Sequence, residues 1–315
     1  MALSEAVVIG TGTMGPGIAA SLALAGVRTT LVSRTPEGAM RGVFLAHELI
    51  HQLKQNELTE AAAADRAVTQ LFGADDPANV ASTAGLVIES IVENMALKQD
   101  LFQRLDQVAP PDAILASNTS GLSITEIARP TRHPGRVITA HFWNPPHLMP
   151  LVEVVMGRET AEETAQRTLD LCRAMGKTPV LIRQDRPGQL GNRIQSALMR
   201  EAMNVVQEGI ASAEDVDLAC RLGFGLRMPM WGPLQHIDAV GLDLVQAVQD
   251  YVLPDLNNEP RAPAILRDKL SRGEIGQKAG RGFYDLANHD LEGAKKARDA
   301  YLIEFLRARR RQAHG

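Results

Sequence analysis

The sequence predicts an α/β protein in which a doubly wound, mostly parallel sheet is followed by a smaller all-α domain. Three observations predict it. Short β-branched and apolar runs alternate with helix-period stretches as far as Ile182, a glycine-rich turn joins the first run to the first helical stretch, and beyond Gly188 strand patterns stop. The expected boundaries are 1–185 for the sheet domain, 186–290 for the helical domain and 291–315 for a helical tail.

Ala6 to Ile9 reads as a buried strand and Ile18 to Ala25 as a helix, with Gly10-Thr11-Gly12-Thr13-Met14-Gly15 between them. In that context G-x-G-x-x-G has a mechanism. Gly10 permits the tight turn, Gly12 lets backbone approach a diphosphate, and Gly15 lets helix pack on strand, so a Rossmann-type dinucleotide site is expected at Gly10, Gly12, Thr13, Met14 and Gly15. The second strand, Arg28 to Val32, ends in Ser33-Arg34. An acid here would bond a ribose 2′-hydroxyl and repel a 2′-phosphate, whereas a hydroxyl and a guanidinium suit the phosphate. The expected cofactor is therefore NAD(P), with NADP favoured.

Residues 43–54 have helical periodicity and contain His47-Glu48-Leu49-Ile50-His51, which fits H-E-x-x-H. No third ligand is in view, so the pair is read as two histidines on an amphipathic helix, and no metal is expected. Gly85 to Ile91 and Ala113 to Ala116 are further strands, the second running into Ser117-Asn118-Thr119-Ser120. Ser123 with Glu126 forms a capping box. Strand ends of a parallel sheet gather at its carboxyl edge, where ligands bind, so Ser120 and His141 are expected to face one crevice.

The chemistry is placed between Val137 and Val154. A β-branched run ends in His141, an irregular Phe-Trp-Asn-Pro-Pro stretch follows, and an apolar run from Leu151 carries Glu153 among valines. A carboxylate there is costly without a partner, and His141 is the nearest candidate. A Glu on one imidazole nitrogen fixes the tautomer and favours the protonated ring, leaving the other nitrogen to take a substrate proton.

The second half reads as helices at Gly191 to Val206, after Ser212, at Pro233 to Tyr251 and at Pro263 to Ser271, and Arg307 to Arg311 as a solvated helix end. A net charge of -4 gives no footprint for nucleic acid or an anionic membrane, and no stretch resembles a transmembrane span or a signal segment. Cys172 and Cys220 have no CxxC partner and read as reduced thiols in a cytoplasmic protein. A small-molecule substrate and a homodimer formed through the helical domain are expected, since its apolar faces exceed what one thin layer covers.

Together these motifs resemble the 3-hydroxyacyl-CoA dehydrogenase family over roughly residues 6 to 285: G-T-G-T-M-G-P-G-I-A at 10–19, I-E-S-I-V-E-N at 88–94, A-S-N-T-S at 116–120, H-F-W-N-P at 141–145, L-V-E-V at 151–154, G-N-R at 191–193 and G-Q-K-A-G-R-G-F-Y at 276–284. The resemblance implies His141 as general base, Glu153 as its orienter, Ser120 and Asn192 around the reacting oxygen, and Glu93 and Lys98 at the nicotinamide-side ribose. Asn118 joins the cofactor set, and Asn144 and Arg227 the substrate set. The departures point to a branch. Coenzyme A binders of the family carry lysines on the helix after the second strand, whereas residues 42–65 here hold only Lys54. Pro150 before L-V-E and the stretch Gly223-Phe224-Gly225-Leu226-Arg227 look like the relatives acting on free acids, including gulonate, carnitine and pyridine-carboxylate dehydrogenases. The expected activity is oxidation of a small hydroxy acid, or the reverse. The alternatives are a hydroxyacyl-CoA dehydrogenase and an idle dinucleotide-binding protein.

Overall fold

The computed structural model describes residues 3–287 and 290–314. Eight strands, β1 (Glu5–Ile9), β2 (Arg28–Val32), β3 (Leu71–Ala74), β4 (Leu86–Glu89), β5 (Ile114–Ser117), β6 (Val137–Phe142), β7 (Leu151–Met156) and β8 (Thr178–Ile182), form one sheet in the order β3-β2-β1-β4-β5-β6-β7-β8. Every neighbouring pair is parallel except β6 and β7. The order reverses beside β1, the switch point at which open α/β sheets bind ligands.

Both faces are covered, which is why the strands read as continuous apolar runs rather than as alternating ones. Ala6 and Val8 of β1 pack with Ile18 and Leu22 of α1 (Gly15–Leu24) on one side. Val7 and Ile9 pack on the other with Phe102 and Leu105 of a later helix. The first side also receives α2 (Pro36–Gln55) and α3 (Ala61–Val68), and the second α4 (Pro77–Ala81), α5 (Met95–Val108) and α6 (Ile124–Ala128). α7 (Glu162–Ala174) leads from β7 to β8. Fully burying a Leu or Ile side chain stabilises by about 1.5–3 kcal/mol, so Ile18, Leu22 and Leu31, each 0% exposed, weigh heavily on this arrangement.

Side-chain caps start α2, α5 and α6, the one at Ser123 having been expected from the sequence. Thr35 Oγ1 accepts from Gly38 N, Asn94 Oδ1 from Leu97 N and Ser123 Oγ from Glu126 N. The helix expected over 43–54 begins seven residues earlier, at Pro36, because Thr35 caps it and Pro36 suits the first turn. The strand expected over 85–91 stops at Glu89, where the carboxylate takes the Ile91 N–H and the chain turns away.

The chain divides into two compact units, the first running to Asn192 and resuming at Lys295, the second comprising Arg193–Ala294. The second is helical: most of α8 (Gly191–Gln207), then α9 (Ala213–Leu222), α10 (Phe224–Arg227), α11 (Pro233–Val240), α12 (Leu242–Val252) and α13 (Ala264–Ser271). The helix expected over 233–251 is broken at Gly241, whose φ of 104° lies outside the helical region and is open to glycine. No residue of α9 to α13 is buried.

A last helix, α14 (Leu291–His314), returns to the first unit, where Ile303 and Leu306 join Leu53 and Leu148. Of the four arginines expected as a solvated end, Arg309 and Arg311 are exposed, but Arg307 and Arg310 are bonded to the first unit. Arg307 Nε donates to Asn56 O and Arg310 Nη1 to Glu57 O, because the carbonyls closing α2 need donors that their own helix does not supply. No described helix is long and apolar enough to cross a membrane.

Candidate active site

The carboxyl edge of the sheet carries two adjoining features, a glycine-rich cradle and an imidazole–carboxylate pair. In the cradle, Gly10 has φ 116° and a Cβ there would lie 2.3 Å from Ser90 O, so turn and close approach both require glycine. A Cβ on Gly15 would lie 1.8 Å from Gly10 O. Gly12 differs, having nothing within 4 Å of the position where a Cβ would stand. Its backbone faces open space beside the start of α1, which has no side-chain cap and no acidic residue in its first turn. Unpartnered N–H groups at the positive end of a helix dipole, approachable because the loop lacks side chains, fit a dinucleotide diphosphate. Thr13 is exposed here and Met14 half-buried. At the end of β2, Thr11 Oγ1 donates to Ser33 Oγ at 3.3 Å, while Arg34 is exposed and has no ion-pair or hydrogen-bond partner among the described residues.

The second feature follows from register. β6 runs with the parallel strands and presents His141 near its end; β7 returns antiparallel with Glu153 directly opposite. Opposed residues share a face with Cβ atoms about 5 Å apart, so imidazole and carboxylate meet. Nδ1 of His141 donates to Oε2 of Glu153 at 2.7 Å, both side chains buried. On the other side of the ring, Nε2 lies 3.2 Å from Ser120 Oγ. Glu153 is 0% exposed and has four donors: His141 Nδ1 and Trp143 Nε1 at Oε2, and the Leu190 and Gly191 N–H groups at Oε1. Burial pushes this carboxyl up, but His141 and the Gly191 and Leu190 amides outweigh that and hold it below the ordinary range. The carboxylate is therefore charged, and a charged Glu153 keeps the proton on Nδ1 and leaves Nε2 as the basic nitrogen.

The loop bearing Ser120 is fastened from below. Glu93 Oε1 accepts from Thr119 Oγ1 at 2.5 Å and from the Ser120 and Gly121 amides at 3.1 Å each. Burial raises the Glu93 carboxyl, and Thr119, Lys98 and the Gly121 N–H together bring it below its usual value. Lys98 is 1% exposed, with Nζ 2.6 Å from Glu89 and 3.4 Å from Glu93, the acid expected with it at the ribose. An ammonium at the end of a buried stem needs counter-charges, and the two carboxylates supply them. Asn118 is 8% exposed and ties strand ends together, its Oδ1 accepting from Phe142 N at 2.8 Å.

Asn192 Nδ2 donates to Ser120 O at 2.8 Å, so the structure gathers His141, Glu153, Ser120 and Asn192 in the first unit. Asn144 is exposed just beyond β6. Arg227 belongs to the second unit, at the end of α10, where its Nη2 lies 3.3 Å from His236 Nε2. Sequence reasoning missed Glu89, buried at 0% and accepting from Lys98 and Ser117, although an acid inside an apolar strand was a readable signal. It also missed Trp143 and Gln189, whose Nε2 donates to Thr119 O at 2.8 Å. His47, of the H-E-x-x-H pattern, turns its Nε2 toward Val68 O at 3.2 Å, and among the described residues no three His, Cys, Asp or Glu gather as metal ligands.

A dinucleotide cradle beside a buried imidazole–carboxylate pair defines an NAD(P)-dependent oxidoreductase acting on CH–OH donors. Residues 5–186 match the NAD binding domain of 3-hydroxyacyl-CoA dehydrogenase and residues 188–286 its C-terminal domain, and the chain belongs to that family. It is 34% identical over 303 residues to the 5-formyl-3-hydroxy-2-methylpyridine 4-carboxylate 5-dehydrogenase of Mesorhizobium japonicum, covering 95% of this chain and 96% of that one. To a probable 3-hydroxybutyryl-CoA dehydrogenase of Bacillus subtilis it is 39% identical over 287 residues, 90% and 98% of the two chains. A crystal structure of 5-formyl-3-hydroxy-2-methylpyridine 4-carboxylic acid 5-dehydrogenase, described as an NAD+ dependent dismutase, superposes with a TM-score of 0.91 at 31% identity, covering 98% of each chain.

Proposed function

We propose that the chain oxidises the alcohol of a small hydroxy-carboxylic acid, or reduces the corresponding carbonyl, with His141 as the base. Nε2 of His141 takes the hydroxyl proton as the C–H bond breaks, and returns it in reverse. Glu153 holds the ring and stabilises its charged form, while Ser120 Oγ, 3.2 Å from Nε2, hydrogen-bonds the reacting oxygen. Asn192 acts on that oxygen through the loop, since its amide holds Ser120 O. A bound nicotinamide supplies the hydride acceptor, its diphosphate held by the 10–15 turn. Glu93 serves the nicotinamide-side ribose, with Lys98 steadying it from beneath.

The observation carrying the free-acid reading is the charge on Arg227. Its Nη2 lies beside a histidine nitrogen, and it has no carboxylate partner among the described residues, so a guanidinium stands uncompensated on the second unit. Asn144, exposed after β6, is assigned to the same substrate. The stretch 42–65 agrees: its single lysine, Lys54, is taken by Asp65 at 2.6 Å, while Phe44 and Leu45 are exposed, so the helix after the second strand offers coenzyme A phosphates no free lysine and only the exposed Arg41 near its start. The 39% identity to a probable 3-hydroxybutyryl-CoA dehydrogenase favours a second reading, oxidation of a hydroxyacyl thioester. A nicotinamide-absorbance screen of free hydroxy acids, hydroxyacyl-CoAs and heteroaromatic alcohols, with NAD and with NADP, separates the two. Thioesters turning over orders of magnitude faster than every free acid would remove the first reading.

We further assign the chain to the cytoplasm as a homodimer paired through its second unit. Both cysteines are free, and α9, α11 and α12 expose Leu222, Leu234, Leu242 and Tyr251.

A further inference from the structure

We propose that Trp143 is a positioning residue that sets how strongly Glu153 acts on His141, and that residue 191 is glycine to admit its indole. The proposal rests on the reading of His141 as the base. Trp143 Nε1 donates to Glu153 Oε2 at 3.1 Å, the same oxygen that receives His141 Nδ1 at 2.7 Å. Leu190 and Gly191 amides occupy the other oxygen. A carboxylate oxygen shared by two donors offers each less negative charge than it would offer one alone. The indole N–H therefore moderates the attraction between Glu153 and the protonated ring, and so the ease with which His141 gives its proton up.

The ring of Trp143 stands 5.6 Å from that of His141, tilted by 51°, and covers one side of the pair. A Cβ at position 191 would lie 2.4 Å from Trp143 Cζ2 and 3.1 Å from Cη2. The glycine is needed for room and not for backbone freedom, since Gly191 is not among the glycines of positive φ. A tryptophan that only filled space would not need its N–H on this oxygen; one that only sought an acceptor would not need a glycine carved out beneath its six-membered ring. Both features are present and place the indole in one position.

The test is Trp143→Phe, which keeps an aromatic ring against His141 and deletes the N–H. With Oε2 left to His141 alone, the charged ring is held more firmly. The acid limb of the kcat/KM profile moves to higher pH by roughly half a unit or more, a unit corresponding to a tenfold change in proton affinity. Turnover at pH 6 falls several-fold while the alkaline plateau stays within about twofold of wild type, because more of the base is blocked by its proton at low pH. The His141 ring resonances, titrated by NMR in the resting protein, move the same way. Gly191→Ala, which displaces the indole and retains the backbone N–H, reproduces the signature by an independent route. A uniform loss across the pH range, with neither the limb nor the ring titration displaced, makes Trp143 a packing residue and overturns the proposal. If the ring titration moves while the activity limb does not, Trp143 tunes the pair as stated and it is the assignment of His141 as base that falls.

Discussion

Nδ1 of His141 and Oε2 of Glu153 are 2.7 Å apart because the residues oppose each other in the single antiparallel pairing of the described sheet. A slip of one residue would send Glu153 to the other face of the sheet. We expect His141→Ala and Glu153→Gln each to lower kcat by two to four orders of magnitude, about what a positioned base contributes, while Kd for the cofactor changes only a few-fold. Glu153→Gln keeps the shape but cannot stabilise a charged ring. Near-normal steady-state turnover in either variant at neutral pH would take the pair out of the mechanism.

Cofactor choice rests on Ser33 and Arg34. With Arg34 exposed and without a partner among the described residues, its guanidinium is available to a 2′-phosphate, and NADP is expected to give the higher kcat/KM. Ser33→Asp places a carboxylate where that phosphate would sit and should reverse the preference. A wild-type preference for NAD by about tenfold or more, as a single bidentate contact is worth, would show that Arg34 does not select.

Arg227→Met should raise KM for the free acid by about tenfold or more, since a charged hydrogen bond contributes roughly 1.5–3 kcal/mol. Cofactor binding is expected to stay unchanged. An unaltered KM would mean that the substrate carboxylate is held elsewhere or is absent.

Sedimentation or light scattering at micromolar concentration is expected to give twice the monomer mass of 34.1 kDa. In the second unit Leu234 is 72% exposed and Tyr251 87%, and symmetric pairing is the commonest way to cover such faces. Leu234→Glu should shift the protein toward monomer; a wild-type monomer would refute the assignment.

His147 predicts a pH dependence of stability. Burial first, then repulsion from Lys177 and Arg298 against the attraction of Asp299, pushes its pKa from 6.5 down to about 4. Nε2 lies 3.1 Å from Gln52 Oε1, and Nδ1 is buried without a partner. A depressed folded-state value means that the unfolded chain takes the proton first as the pH falls. This contribution is whole above pH 6.5 and is lost as pH falls from there through about 4. Urea midpoints of His147→Gln should fall less steeply over that window than those of the wild type, and an equal slope would contradict the assignment.

Much of the fold was legible because it rests on local pattern. Continuous apolar runs mark strands covered on both faces, helix-period stretches mark the helices between them, and the strand–G-x-G-x-x-G–helix succession has one economical reading as a cradle. His141 at the end of a β-branched run and Glu153 inside an apolar one were visible for the same reason, as was the need of one for the other. Whether they met was a matter of register, which the hairpin of residues 143–150 decides. Other features had no local signature. Lys98 was expected with Glu93 at the cofactor's ribose, but its buried ion pair with Glu89 had no local signature and exists only because α5 packs against β4. Arg307 and Arg310 of α14 looked solvated until the carbonyls of Asn56 and Glu57 came within their reach.

The sequence by itself determined which elements form, which strand ends carry chemistry and which loop suits a dinucleotide, because periodicity, turn chemistry and charge act within a few residues. Tertiary structure alone decided the environment of the His141–Glu153 pair. Glu153 is held charged by His141 and by the Gly191 and Leu190 N–H groups, up to 38 residues away, and those amide directions exist only once the chain beyond β8 has returned to the sheet. A hydrogen bond needs its donor within a few tenths of an ångström and some tens of degrees, and no spacing in a linear chain specifies that for groups so far apart.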